Sequence, residues 1–265
     1  MLDRCWRLFG TGISFAVFGV GGMLLSVFVF PLMMLLPGNK MTRHRRVRRV
    51  ISFAFRAFLR LMEGLRVLDL DLVDLAILKN ERGVVVAANH PTLIDVILLL
   101  AHIESGNCVV KHALWKNPFL GGVVRAAGYI PNIDQGFVLS ECERVLDDGE
   151  VLVVFPEGTR TRPNQPLKLK RGAAAIAVRA GAAIRLVHIR CDPPTLAKHE
   201  PWYRIPADRP RFSLRVGTRL STREFMSDGT SHSLAARRLT TVMEERLQED
   251  VFAVQQASRT SGVLA

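Results

Sequence analysis

Two ionisable groups interrupt a strongly apolar stretch at 84–100, "VVVAANHPTLIDVILLL". They are His90 and Asp95, a pairing with an obvious chemistry. A histidine, whose ordinary pKa is near 6.5, accepts a proton at neutral pH, and a carboxylate bonded to its Nδ1–H keeps the other ring nitrogen in the accepting tautomer. Val84 to Ala88 is short and β-branched and reads as a buried strand, while Leu93, Val96, Ile97 and Leu100 recur at helical spacing. Pro91 suits a first helical turn, where its missing N–H is not needed. This places His90 at the strand-to-helix corner and Asp95 a little over one turn inside the helix, its side chain inclined back toward the imidazole. Free amides at that helix N-terminus would meet a phosphate or a developing oxyanion. Alone, an H-x4-D spacing also describes an idle corner histidine and an exposed helix acid.

A second strand runs into polar residues at "VLVVFPEGTRT", Val151 to Thr161. Pro156 ends the strand, Gly158 permits a tight turn, and Glu157, Thr159 and Arg160 are expected at the rim. Arg160 offers a planar fork for phosphate oxygens, and Glu157 can accept from a hydroxyl or orient that fork. Ligands of open α/β sheets bind beyond the carboxyl ends of the strands, so two such clusters in one parallel sheet can converge. Ser105, Ser140 and the cysteines fall in no nucleophile elbow such as G-x-S-x-G. The His–Asp pair is therefore expected to activate a hydroxyl or water that the substrate supplies.

The elements that must position these residues alternate along the chain. Strands are expected at Val67 to Val73, Val84 to Ala88, Asn107 to Val110, Tyr129 to Ile130, Val151 to Phe155, Ala183 to Ile189 and Phe212 to Val216. Helical patterns lie at Ile94 to Glu104, Pro118 to Ala127, Phe137 to Asp147, Gly172 to Ala180 and Ser233 to Gln256. The order predicts an α/β domain with a largely parallel central sheet flanked by helices over 67–257, and a flexible tail over 258–265.

Residues 1–66 read as a membrane-anchoring helical region. "ISFAVFGVGGMLLSVFVFPLMMLLP", Ile13 to Pro37, holds 25 residues without a charge. As a helix it would measure about 37 Å, enough for a hydrocarbon core of about 30 Å. The run is longer than a signal-peptide core, and the positive charge follows it. Lys40, Arg43, Arg45, Arg46, Arg48 and Arg49 assign that end to the cytoplasmic side. Ile51, Phe55, Phe58, Leu59 and Met62 form one helical face and Arg45, Arg49, Arg56 and Arg60 another, a pattern that suits either an anionic headgroup layer or packing on the soluble domain. Pro31 and the Gly21-Gly22 pair leave a monotopic hairpin open beside a spanning helix.

Composition agrees with a polyanionic partner. Lys and Arg number 36 against 24 Asp and Glu, a net charge of +12. No nucleic acid is expected, because no reader motif accompanies that charge. Cys5, Cys108, Cys142 and Cys191 show no paired spacing for zinc or a dithiol, and no metal is expected.

"NHPTLID" followed by "FPEGTR" (Phe155 to Arg160), in that order, resembles the lysophospholipid and glycerophosphate acyltransferase family. "LKLKRGAA" (Leu167 to Ala174) is similar to the family's lysine-containing segment, with Lys170 at the matching position. The resemblance covers roughly Arg82 to Ile189, and the apolar helices ahead of it suit bacterial members. It implies transfer of a fatty acyl group from an acyl carrier protein or coenzyme A thioester to a lysophospholipid hydroxyl, directly and without a cofactor, at the cytoplasmic face of a bacterial inner membrane. It implies His90 as general base, Asp95 as its orienter, and Glu157, Gly158, Thr159 and Arg160, with Lys170, around the glycerol-phosphate acceptor. Two segments depart from the family pattern. "GYIPNID" (Gly128 to Asp134) lacks the usual arginine, and "AIRLVHIR" (Ala183 to Arg190) lacks the usual prolines and carries Arg185 and His188. Both point to acceptors other than ordinary lysophosphatidic acid, such as aryl polyene or other specialised lipids. A relative that only binds lipid is the third alternative.

Overall fold

The computed structural model describes residues 2–161, 166–227 and 229–261. Seven strands form one sheet: β1 (Asp69–Val73), β2 (Val84–Ala88), β3 (Asn107–Lys111), β4 (Ile130–Asn132), β5 (Leu152–Val154), β6 (Ala183–Asp192) and β7 (Arg211–Leu220). Their spatial order is β1-β7-β6-β2-β5-β3-β4. Neighbours are parallel throughout except for β6 against β7. The α/β fold with a largely parallel sheet is thus the one the alternating pattern predicts.

Nine α-helices are described: α1 (Leu2–Leu24), α2 (Phe30–Leu35), α3 (Lys40–Gly64), α4 (Leu75–Asn80), α5 (Asp95–His102), α6 (Gly121–Ala127), α7 (Gln135–Asp147), α8 (Gly172–Arg179) and α9 (His232–Ser261). A π-helical turn, Leu25–Val29, joins α1 to α2, with the Phe30 amide donating to the Leu25 carbonyl just ahead of Pro31. Helix α4 is an element that the sequence reading does not anticipate. Helix α9 continues through 258–261, where a flexible tail is expected, and residues 262–265 of that tail lie outside the described residues.

The central strand shows why its sequence is apolar at every position. Val84, Val86 and Ala88 join a core under α3, α5 and α6, whereas Val85 and Ala87 join a second core under α7, α8 and α9. A strand covered on both faces has no wet side, so alternation disappears. Strands β6, β2 and β5 are adjacent and parallel, so their carboxyl ends deliver three segments side by side. These are 193–210, 89–94 and 155–161.

The basic helix α3 resolves toward the domain. Val47, Ile51, Phe58, Leu59 and Met62 are buried in the first core. Arg56 donates to the Ala101 carbonyl at 2.8 Å, and only Arg49 and Arg60 of the expected cationic face are exposed. Arg48, 2% exposed, donates to Glu150 at 2.5 Å and to the Ala127 carbonyl at 3.0 Å. Arg45 reaches the same carboxylate at 2.9 Å. Glu150 therefore pins α3 to the chain leading into β5. Removing one member of a buried pair leaves a charge without compensation, which costs about 3–5 kcal/mol. Glu150→Ala is expected to lose about that much stability in denaturant titrations of the full chain in detergent; a loss below about 1 kcal/mol, the range of exposed pairs, would contradict this account.

Candidate active site

Helix α5 begins at Asp95, not at Pro91. Asn89 to Ile94 form an irregular corner, so Asp95 is the first helical residue and does not lie a turn inside. The geometry nevertheless makes the expected pair. His90 Nδ1 lies 2.8 Å from Asp95 Oδ2, and Asp95 is fully buried. Thr92 binds both carboxylate oxygens, its amide donating to Oδ2 at 2.7 Å and its hydroxyl to Oδ1 at 2.5 Å. Burial pushes the Asp95 carboxyl up, while the bonds from His90 and then Thr92 pull it down. Three donors converge on this carboxyl, the arrangement that suits a carboxylate. With Nδ1 committed to Asp95, Nε2 is the nitrogen left to accept a proton. Phe155 stacks on the imidazole with ring centroids 4.2 Å apart and fixes its plane.

The second cluster closes on the first through the main chain. Glu157 Oε1 accepts from the His90 amide at 2.9 Å and from the Thr161 hydroxyl at 2.6 Å. The Thr161 amide donates back to the His90 carbonyl at 2.7 Å. Glu157 was expected at the rim, but it is 8% exposed and turned inward against the corner. Burial raises its carboxyl, opposed by the bonds from Thr161 and His90. The amides of the corner, ahead of the first turn of α5, are already engaged. The amide of His90 serves Glu157, that of Thr92 serves Asp95 and that of Leu93 serves the Leu196 carbonyl at 3.1 Å, while Pro91 has none. These three amides are therefore committed to internal acceptors.

The cations remain beside the corner. Arg160 Nη1 donates to the Leu196 and Ala197 carbonyls, each at 3.0 Å, while no partner is seen for Nη2 among the described residues. Gly158 takes a left-handed φ of +68°, and a Cβ there would come within 3.0 Å of Lys170 Nζ. The left-handed backbone favours glycine, and the lysine tip lies close over it. Lys170 is anchored by its amide on the Pro156 carbonyl at 2.8 Å. Thr159 is exposed beside them. The structure thus brings His90, Asp95, Glu157, Gly158, Thr159, Arg160 and Lys170 to one edge of the sheet, with Glu157 structural in its bonding.

Several partners escape a sequence reading. Thr92, three residues before Asp95, and Thr161, four after Glu157, stand where short side-chain bonds are common and could have been flagged. Asn89, whose amide exchanges bonds of 2.7 and 2.8 Å with the backbone of Ile189, gives no such signal, nor do the carbonyls of 196–197. Two residues noted for departing from pattern are engaged elsewhere. Asp134 caps α7 by accepting from the Phe137 amide at 3.0 Å, and Arg185 pairs with Glu81 at 2.6 Å. Burial pushes the thiols of Cys108, Cys142 and Cys191 up to about 12, which keeps them protonated and poor nucleophiles.

Residues 70–190 match the family model described as Acyltransferase. Over 100 residues the chain is 38% identical to a 1-acyl-sn-glycerol-3-phosphate acyltransferase of Helicobacter pylori strain J99, covering 35% of this chain and 42% of that protein. Over 109 residues it is 33% identical to a lyso-ornithine lipid O-acyltransferase of Rhizobium meliloti, covering 38% of this chain and 37% of that protein. The matched stretch is thus less than half the length of either relative. The crystal structure of the 1-acyl-sn-glycerophosphate acyltransferase PlsC from Thermotoga maritima superposes with a TM-score of 0.67 at 20% identity, over 94% of this chain and 97% of that one. At that identity the likeness speaks for the fold, whose N-terminal helices it must largely include. Residues 70–190 thus form a domain that matches the acyltransferase family, on a fold that PlsC shares.

Proposed function

We propose that this protein transfers a fatty acyl group from an acyl carrier protein or coenzyme A thioester to the hydroxyl of a lysophospholipid such as 1-acyl-sn-glycerol-3-phosphate. The carrying observation is the His90–Asp95 pair, with Nδ1 held at 2.8 Å and two cationic side chains beside it. The acceptor oxygen attacks the thioester carbonyl as His90 Nε2 takes its proton. The C–O bond forms, the C–S bond breaks, and the imidazolium returns the proton to the departing thiolate. Asp95 stabilises the imidazolium between these steps. The open edge of Arg160 and the ammonium of Lys170 would hold the acceptor's phosphate, with Thr159 and Gly158 in the turn below. Glu157 acts by fixing the main chain of His90. Protonated buried thiols support direct transfer without an acyl-enzyme.

A second reading concerns the acceptor alone. "GYIPNID" offers Asp134 as a helix cap where the family carries an arginine, and one relative is named for a lyso-ornithine lipid. An acceptor without a phosphate suits both facts.

The setting is the cytoplasmic face of a bacterial inner membrane, on which the protein lies without crossing. Leu2–Leu35 is long and apolar enough to span, about 51 Å at roughly 1.5 Å per residue. What supports a monotopic seat is the helix's inverted face. The residues it buries on the domain in α1 are Arg7, Gly10, Thr11 and Ser14, while Phe9, Val17, Val20, Val27, Phe28 and Leu32 face outward. A helix that turns its polar stripe and part of its apolar surface onto the domain, and the rest of its apolar surface outward, suits hydrocarbon on one side only. Arg7 bonds to the Ala207 and Asp208 carbonyls at 2.5 and 2.7 Å and Phe30 is 1% exposed, so both ends are tied to the domain.

Purified full-length protein, supplied with labelled acyl carrier protein or acyl coenzyme A and separate lyso-lipids, is expected to yield diacylated product by mass spectrometry. Product from lysophosphatidic acid supports the first reading; product from lyso-ornithine lipid alone supports the second. His90→Ala is expected to lose about 10²–10⁴-fold in turnover with unchanged thermal unfolding, and near-normal turnover would remove the mechanism. Glu157→Ala frees the His90 amide and is expected to lower kcat on the order of 10²-fold with KM little changed, since small misplacements of a base are that costly. A rise in KM alone would return Glu157 to substrate binding.

A further inference from the structure

The segment 193–210, between β6 and β7, touches both the active site and the inverted helix. At one end Leu196 and Ala197, both buried, present their carbonyls to Arg160 Nη1, and Leu196 also receives the Leu93 amide. At the other end the carbonyls of Ala207 and Asp208 hold Arg7 of α1. Between them stand Trp202 and Tyr203, 45% and 61% exposed, packed edge to face at 5.8 Å. Trp202 also meets Phe15 edge-on at 6.1 Å and lies over Gly12, so the indole flanks the outward apolar face of α1. Lys198, His199 and Arg204 lie close by in the sequence, Arg204 paired with Glu200 at 3.4 Å. A cleft lined by Arg7, Thr11, Leu196, Trp202, Ile205 and Phe212 separates this segment from full contact with α1 and β7.

Two large aromatics exposed side by side cost apolar hydration unless something covers them. Their character fits the lipid headgroup boundary, where an apolar ring body and a polar N–H or O–H tip are both satisfied. They continue the face of a helix that shows lipid-facing character along its length, and basic neighbours favour an anionic leaflet.

We propose that Trp202 and Tyr203 are a second lipid-contacting element, separate from the N-terminal helix, and that seating them on an anionic bilayer sets the position of Arg160 through the Leu196 and Ala197 carbonyls. The inference rests on the monotopic reading above. The membrane surface is then a positive effector of acceptor binding, because the indole and the two carbonyls that hold the guanidinium lie within a few residues of each other on one segment. Trp202 and Tyr203 make no contact with His90 or Asp95 and have no part in proton transfer.

The test uses the full chain on phosphatidylglycerol-rich vesicles, some carrying lipids brominated near the headgroup end of the acyl chains. The difference in emission between wild type and Trp202→Phe isolates one indole of the three. That difference signal is expected to be quenched by bromolipid. Protein that sediments with vesicles while this indole stays unquenched overturns the proposal and spares the helix reading. Protein that does not sediment removes both, and a protein partner for the aromatic pair would then show as quenching by neither lipid nor aqueous iodide. For the coupling, Trp202→Ala/Tyr203→Ala is expected to lower acylation of vesicle-borne acceptor by at least about 5-fold, the low end of ordinary site-to-site coupling, with acylation of a short-chain monomeric acceptor unchanged. Equal loss on both acceptors, or no loss on vesicles, overturns it.

Discussion

One carboxylate holds the site together. Glu157 accepts from the amide of His90 and the hydroxyl of Thr161, and the Thr161 amide answers by donating to the His90 carbonyl. This reciprocal set joins the end of β2 to the end of β5 at the one residue whose ring must be aimed. Asp95 can orient an imidazole only if the main chain bearing it is fixed, and the corner contains no regular hydrogen bonding of its own. Pro91 contributes no donor, and α5 starts only at Asp95. A buried acid is costly unless its lone pairs are filled, so the same bonds that steady His90 also make Glu157 tolerable.

The corner is correspondingly self-sufficient. Three of its amides serve Glu157, Asp95 and Leu196, and Arg160 and Lys170 bring positive side chains to it. Arg160 spends one nitrogen on the 193–210 segment. The guanidinium is thereby both a ligand for that segment and a group beside the imidazole, which makes its placement depend on a part of the chain far from either motif.

How much of this a sequence discloses depends on the kind of interaction. Strand β2 and the polar residues after it are legible because full burial erases alternation and leaves His90 and Asp95 conspicuous. The convergence of the two motifs follows from parallel strands with polar carboxyl ends. The start of α5 is misread because Pro91 is equally at home in an irregular corner, and its local preference does not distinguish the two. The inward turn of Glu157 is invisible because it depends on which amide the neighbouring strand presents. The basic face of α3 is ambiguous for a related reason: Arg45 and Arg56 suit headgroups as well as the domain until Glu150 and the Ala101 carbonyl are placed against them. Loop 193–210 carries no chemical motif at all, and its two bridges run through backbone carbonyls that every residue possesses.

The tie between Arg7 and the carbonyls at 207 and 208 spans about 200 positions of chain. At ribosomal speeds of about 5–20 residues per second, the groove that receives the polar stripe of α1 is completed on the order of ten to forty seconds after that stripe is made. Strand β1 waits similarly, since its neighbour in the sheet is β7. Throughout that interval the polar stripe of the helix has no domain to pack on. Both elements therefore meet their partners only near the end of synthesis, and the domain closes on a helix made long before it.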